Sequence, residues 1–269
     1  MVCNMICLDI DGTILNSRHE ITSHTRTVIR AASKKGIPVV LISARMPKAM
    51  VFLKDELGLK DPIACYGGGL ILSGDGTVIE SKTLETPLVR EVSRLADSMG
   101  IHVSYYRNDE WCVDEMDEWA RQEGLITHYM ATVCDTEAMM DRWKADGTGP
   151  HKLLLMAEAD RILAFMKRFE REGQPQMEVY RSKDTYLEVM PAGVGKKETV
   201  ERLCRLYGIS KEQVLAAGDN DNDISMIQYA GMGVAMGNAW EEVKKYADFV
   251  TLSNDKDGVA YAIEKYVFD

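Results

Sequence analysis

Short, unbroken apolar runs recur along the chain: Met5-Ile6-Cys7-Leu8, Val39-Val40-Leu41-Ile42, Pro62-Ile63-Ala64-Cys65 and Val214-Leu215-Ala216-Ala217. Runs of this length, without polar alternation, predict strands buried on both faces, as in a parallel sheet covered by helices. Strand and helix alternate from Val2 to about Leu59, and a hairpin is predicted to turn at Ser73-Gly74-Asp75-Gly76. Near Thr83-Leu84-Glu85-Thr86-Pro87 the chain is expected to leave this core. Residues 88–99 then read as a helix, 101–106 as a strand and Trp111-Cys112-Val113 as its hairpin partner. A helix near 135–145, a strand at 152–156, a helix at 159–172 and two strands within 176–190 complete an α+β unit. Pro191-Ala192-Gly193 marks the return to the core, and no internal repeat or low-complexity tract interrupts the pattern.

Asp9-Ile10-Asp11-Gly12-Thr13 directly follows the first apolar run. Strand side chains alternate with period two, so Asp9 and Asp11 start on one side, and a turn opening at Gly12 would crowd both carboxylates into one pocket. Like charges held together point to a hard divalent cation, or to a division of labour in which one carboxylate attacks and the other delivers a proton. An Asp-Gly hairpin turn is the plainer alternative. Gly218-Asp219-Asn220-Asp221-Asn222-Asp223 follows the last run, so a second carboxylate cluster caps a second strand. It fails as an EF-hand, with Ile224 where that loop needs glycine and Ala230 where it needs glutamate, although an ordinary Asx-rich turn fits. Ligand sites of open parallel sheets form beyond the carboxyl ends of the strands. Asp9, Asp11 and Asp219 are therefore expected to converge on one cation.

Two further signals sit at matching places. Ser43-Ala44-Arg45 follows the run at 39–42 and offers a hydroxyl and backbone N–H groups to phosphate oxygens; N-capping of the next helix is the alternative role for Ser43. Gly193-Val194-Gly195-Lys196-Lys197-Glu198 is not a P-loop, because Met190 stands at the first glycine position and Lys197 at the Ser/Thr position. A lysine in the first turn of a helix opposes the helix dipole, so Lys196 is better explained by reaching an anion or the carboxylates; plain surface exposure is the alternative.

Taken in order, Asp9/Asp11, Ser43, Lys196 and Asp219/Asn222/Asp223 resemble the four motifs of the haloacid-dehalogenase superfamily of phosphatases. Gly233-Val234-Ala235-Met236-Gly237-Asn238-Ala239, with the ending from Asp248 through Gly258-Val259, resembles the C-terminal signature of its Cof-type branch. The resemblance implies a Rossmann-like, doubly wound, mostly parallel α/β core over 1–82 and 191–269, with an α+β cap inserted at 83–190. It implies Asp9, Asp11 and Lys196 as catalytic residues, and Ser43, Ala44, Lys196 and Asn222 as phosphate-binding. Asp9, Asp11, Asp219 and Asp223 become the ligands of Mg²⁺. The chain departs from the family pattern at Ser43-Ala44-Arg45, where Thr-Gly-Arg is usual, and at Gly67-Gly68-Gly69, where Asn-Gly-Ala is usual. Lys197 replaces a common glycine.

A length of 269 residues with 46% hydrophobic content suits one large domain or two smaller ones. The net charge of -10, with no basic block to offset it, argues against nucleic acid as a partner. Anionic substrates must then be drawn by a local cation. The cysteines at 3, 7, 65, 112, 134 and 204 lack zinc-site spacing and read as reduced thiols, which implies a cytoplasmic protein. The N-terminal apolar run is too short for a signal peptide, and no segment approaches a membrane span. The histidines show no metal-ligand spacing. Tyr105, Tyr106, Trp111, Trp119, Tyr129 and Trp143 of the insertion read mostly as core, while Arg107, His128 and Arg181 are candidates for either a cleft mouth or plain surface.

The resulting expectation is a Mg²⁺-dependent phosphatase acting on a small phosphorylated metabolite, a sugar phosphate or phosphorylated cofactor, as monomer or homodimer. Asp9 attacks phosphorus, Asp11 protonates the leaving oxygen and then activates water, and Lys196 with Ser43 holds the transferred group. A phosphotransferase or mutase would differ only in the acceptor. A receiver-like signalling or phosphometabolite-binding protein is the non-enzymatic alternative; against receivers stand the length of the chain and an acidic pair split by one residue and followed by Gly-Thr.

Overall fold

The computed structural model describes residues 2–127, 129–172 and 175–268. Contacts divide the chain into two units, 1–80 with 195–269, and 81–194. The first stretch carries β1 (Met5–Leu8), β2 (Val39–Ile42), β3 (Ile63–Cys65), β4 (Leu70–Leu72) and β5 (Val78–Ser81). The second unit carries β6 (His102–Arg107), β7 (Glu110–Val113), β8 (Thr132–Val133), β9 (Lys152–Met156), β10 (Met177–Lys183) and β11 (Tyr186–Pro191). The chain then returns to the first unit with β12 (Val214–Gly218), β13 (Met232–Ala235) and β14 (Phe249–Val250).

In the first unit the strand order is β14-β13-β12-β1-β2-β3-β4-β5. The strands from β14 to β3 run parallel and β4 turns back antiparallel on β3, so the core is a mostly parallel α/β sheet. Every residue of β1, β2 and β12 is buried, which explains why these strands read as apolar runs without alternation. One face carries Met5, Cys7, Val40, Ile42, Val214 and Ala216 against Val200, Leu203 and Cys204 of the helix Lys196–Tyr207. Each fully buried Val, Leu or Ile there contributes about 1.5–3 kcal/mol relative to exposure, so the apolar pattern decides which segments become strands. From β1 the chain builds outward to β2 and β3 on one side, and from β12 to β13 and β14 on the other. The order therefore reverses between β1 and β12, and loops leaving their carboxyl ends splay apart there, the place where open α/β sheets hold ligands.

The second unit is a sheet of order β10-β11-β9-β6-β7-β8, antiparallel except for the β7–β8 pair. Helices Thr86–Ser98, Thr136–Ala145 and Ala159–Glu172 accompany it. Val89, Val92, Met139, Trp143, Ile162 and Phe165 bury one sheet face together with Leu153, Leu155, Leu187 and Val189. Tyr105, Tyr106, Trp111 and Trp143 are buried, as their size suggests, whereas Trp119, Tyr129 and Arg107 are half-buried and Arg181 is exposed. His128 lies outside the described residues. The helix Glu118–Thr127 and the short β8 are not anticipated from the sequence. This helix buries only Ala120, Glu123 and Gly124, so it carries no apolar stripe that periodicity could register. Thr86-Pro87 begins a helix inside the second unit, and Leu84 before it is buried in that unit's core, its N–H donating to Pro150 O at 2.8 Å.

Candidate active site

Asp9 is the first residue beyond β1, and its N–H donates to Ala217 O at 3.0 Å, which pins it beside the end of β12. Its side chain is buried and accepts a hydrogen bond from Lys196 Nζ at 2.6 Å. The same Nζ donates to Asp223 Oδ1 at 2.5 Å. Lys196 opens the helix Lys196–Tyr207 after Gly195 as N-cap, and it is fully enclosed rather than at the surface. Two carboxylates thus satisfy a cation that the helix dipole alone would disfavour.

Asp223 Oδ2 accepts from the backbone N–H of both Asp219 and Asn220 at 3.0 Å, closing the turn after β12. Asp219 Oδ1 accepts from the Thr13 hydroxyl at 3.2 Å. Oxygens of Asp9, Asp219 and Asp223 lie within 4.8 Å of one another. Gly12 makes this approach possible: at φ +75° a Cβ there would sit 2.3 Å from Asp219 Oδ2. Burial, with the neighbouring Asp223 and Asp219 charges, pushes the Asp9 carboxyl well above its usual range against the pull of Lys196. Burial and Asp223 push Asp219 up to about 7. Desolvation alone would lower Lys196, but Asp223 and Asp9 outweigh it and hold the ammonium above its ordinary value. Three crowded carboxylates facing one lysine leave an excess of negative charge that suits a hard divalent cation with oxygen ligands.

Asp11 takes a different position from the one that strand alternation suggests. The strand ends at Leu8, and Asp11 lies within the turn Ile10–Ile14, so period two no longer governs its direction. Its carboxylate is half exposed and forms a two-point pair with Arg45, Nε donating to Oδ2 at 2.8 Å and Nη2 to Oδ1 at 2.6 Å. Ser43 is buried just past β2, and its hydroxyl accepts from Arg45 N at 3.2 Å. It caps no helix, since the next one starts at Lys48 behind Pro47. Ala44 follows it in the same turn. Asn222 is exposed on the short turn Asp221–Asp223. Gly67-Gly68-Gly69 packs against the helix that carries Lys196: Thr199 Oγ1 donates to Gly67 O at 3.2 Å, and a Cβ on Gly68 would meet that hydroxyl at 1.8 Å. Sequence reasoning gave no role to Thr13, Arg45 or Thr199. Thr13 and Arg45 stand inside the motifs it singled out, but nothing in their spacing names a partner.

The model of the haloacid dehalogenase-like hydrolase family matches residues 6–263. A solved haloacid dehalogenase-like hydrolase from Bacteroides thetaiotaomicron is 31% identical, with a TM-score of 0.87 over 98% of this chain and 99% of its own. A solved sugar phosphatase of subclass IIB in the same superfamily is 25% identical, with a TM-score of 0.82 over 97% and 98%. The 5-amino-6-(5-phospho-D-ribitylamino)uracil phosphatase YcsE of Bacillus subtilis is 29% identical across 98% of this chain and 95% of its own. With its motif carboxylates and lysine gathered at the reversal point of a mostly parallel sheet, and a family match running from β1 almost to the C-terminus, this chain belongs to the haloacid dehalogenase-like hydrolases.

Proposed function

We propose that the protein is a Mg²⁺-dependent phosphatase that hydrolyses a small phosphorylated metabolite through an aspartyl-phosphate on Asp9. The observation that carries this reading is the buried lysine joining Asp9 to Asp223, with Asp219 beside them. Such a group has little value to the fold alone, since a buried ion pair is often no more stabilising than apolar residues of the same volume. The names of relatives acting on a phosphorylated ribitylaminouracil and on sugar phosphates point the same way.

In this mechanism Asp9 attacks phosphorus and displaces the leaving oxygen, which takes a proton from Asp11. Asp11 then removes a proton from the water that cleaves the aspartyl-phosphate, regenerating Asp9 and releasing phosphate. Lys196 keeps Asp9 oriented and, with the Ser43 hydroxyl and the adjoining Ala44 backbone, binds phosphoryl oxygens; exposed Asn222 is a weaker contributor. Asp9 and Asp219, with the Asp11 carbonyl, would hold Mg²⁺. Asp223, whose oxygens already serve Lys196 and two backbone N–H groups, supports these ligands from behind. When bound, the ion would offset the charge that builds on the phosphoryl oxygens. Residues 81–194 are the proposed cap that selects the leaving group.

Purified protein is expected to release phosphate from sugar phosphates, flavin mononucleotide or pyridoxal phosphate with Mg²⁺, and to stop with a chelator. Ca²⁺ is expected to inhibit, its larger and looser coordination shell being unsuited to in-line transfer. Undiminished turnover after complete metal removal would overturn the mechanism. The ranking of those substrates gives the leaving-group class.

A further inference from the structure

We propose that Arg45 is a positioning residue for the proton-transferring carboxylate of Asp11, an inference that rests on the acid–base role given to Asp11 above. Asp11 is half exposed and sits on a turn, so its side chain alone has several staggered positions open to it. The guanidinium removes that freedom by gripping both carboxylate oxygens, at 2.8 and 2.6 Å. A planar fork fixes direction as well as distance, which a lysine ammonium does not.

Arg45 is itself held from several sides. Nη1 donates to Ala49 O at 3.2 Å, its own N–H donates to Ser43 Oγ at 3.2 Å, and its carbonyl accepts from Tyr66 N at 3.1 Å. Gly67 N donates to Ser43 O at 2.8 Å in the same stretch. The Arg45 main chain is thereby tied to the ends of β2 and β3 and its guanidinium to the helix Lys48–Leu57, so Asp11 is held by groups outside its own turn. Ser43-Ala44-Arg45 then serves twice: its first residue is the proposed phosphate ligand, and its third holds Asp11 as the carboxylate that takes the proton from water, one point of the fork opening when Asp11 carries the proton it delivers to the leaving oxygen. Arg45 exchanges no proton and forms no bond in the reaction; it acts through Asp11.

The test is a double-mutant cycle of Arg45→Met and Asp11→Asn, read on an alkyl phosphate and on 4-nitrophenyl phosphate, whose leaving group needs little protonation. Arg45→Met is expected to lower kcat about 10²-fold on the alkyl phosphate, the order seen when a reacting group shifts by about 1 Å, with a much smaller loss on the aryl ester and little change in KM. In the Asp11→Asn background it should cause no further loss. Arg45→Lys should recover only part of the activity, because it restores charge without the fork. Losses that multiply in the double variant, or weaker inhibition by inorganic phosphate in the Arg45 variants, would overturn the proposal and make Arg45 a substrate ligand. If Asp11→Asn itself leaves turnover of the alkyl phosphate intact, the acid–base reading fails, and the role of Arg45 with it. Melting curves of each variant separate these results from loss of fold.

Discussion

A single hydrogen atom at Gly12 decides how closely two parts of the site approach. The residue has φ +75°, and a methyl there would point into the Asp219 carboxylate. Gly12→Ala therefore combines about 1–2 kcal/mol of left-handed backbone strain with displacement of Asp219. With Asp219 as the proposed Mg²⁺ ligand, the protein should stay folded while the Mg²⁺ concentration for half-maximal activity rises about 10- to 100-fold, the usual result of disturbing the surroundings of a metal ligand. A Mg²⁺ titration of initial rates checks this, and an unchanged midpoint would mean that Asp219 is not a ligand. The sequence already carried this glycine within an Asp-Gly-Thr motif, but it could not reveal that Asp219, far along the chain, fills the space that a side chain would need.

At the level of elements, the helix Lys196–Tyr207 is fastened to the sheet by apolar packing through Val200, Leu203 and Cys204, and at its first residue by an ion pair. Lys196→Met keeps the length but leaves Asp9 and Asp223 buried without their cation. Removing one partner of a buried pair typically costs about 3–5 kcal/mol, so the midpoint of denaturant unfolding should fall with its slope unchanged. The strands flanking this site were legible because full burial writes itself as unbroken apolar runs. The helix Glu118–Thr127 was not, because its buried positions are Ala120, Glu123 and Gly124. The motif residues could be read as candidates, yet the direction of Asp11 could not, since it depends on where the strand ends and on Arg45 arriving from another turn.

On the scale of the molecule, two units have separate cores, and the second contains an acid-sensitive group. His151 is buried, its Nδ1 accepts from Asn108 N at 3.2 Å, and its Nε2 faces the Ser81 hydroxyl at 3.0 Å. A proton on Nδ1 would confront the Asn108 N–H. Burial first, and the Arg107 charge second, push this imidazole down from 6.5 to about 4. The unfolded chain thus binds this proton more readily, so the contribution of His151 to stability is intact above about 6.5, falls as pH drops, and levels off below about 4 after a loss of about 3 kcal/mol. His102, also lowered by burial, acts in the same sense, whereas Glu123, Asp9 and Asp219, all raised by burial, act in the opposite one. His151→Gln, able to accept from Asn108 and donate to Ser81, should flatten the fall in melting temperature between pH 6.5 and 4.5. An unaltered slope would place the sensitivity elsewhere.

The pairing of β1 with β12 also fixes an order of events during synthesis. Thr13 and its partner Asp219 are 206 residues apart, and the whole of the second unit is made between them. At about 5–20 residues per second, β1 waits roughly 10–40 s for its neighbour to leave the ribosome. In that interval β2 and β3 can join it on one side, but the opposite edge of a strand destined for full burial stays open to other chains. The proposed hydrolytic centre is therefore among the last parts of the protein to exist, and the nascent chain passes through a stage in which an adhesive edge is complete and the carboxylate cluster is not.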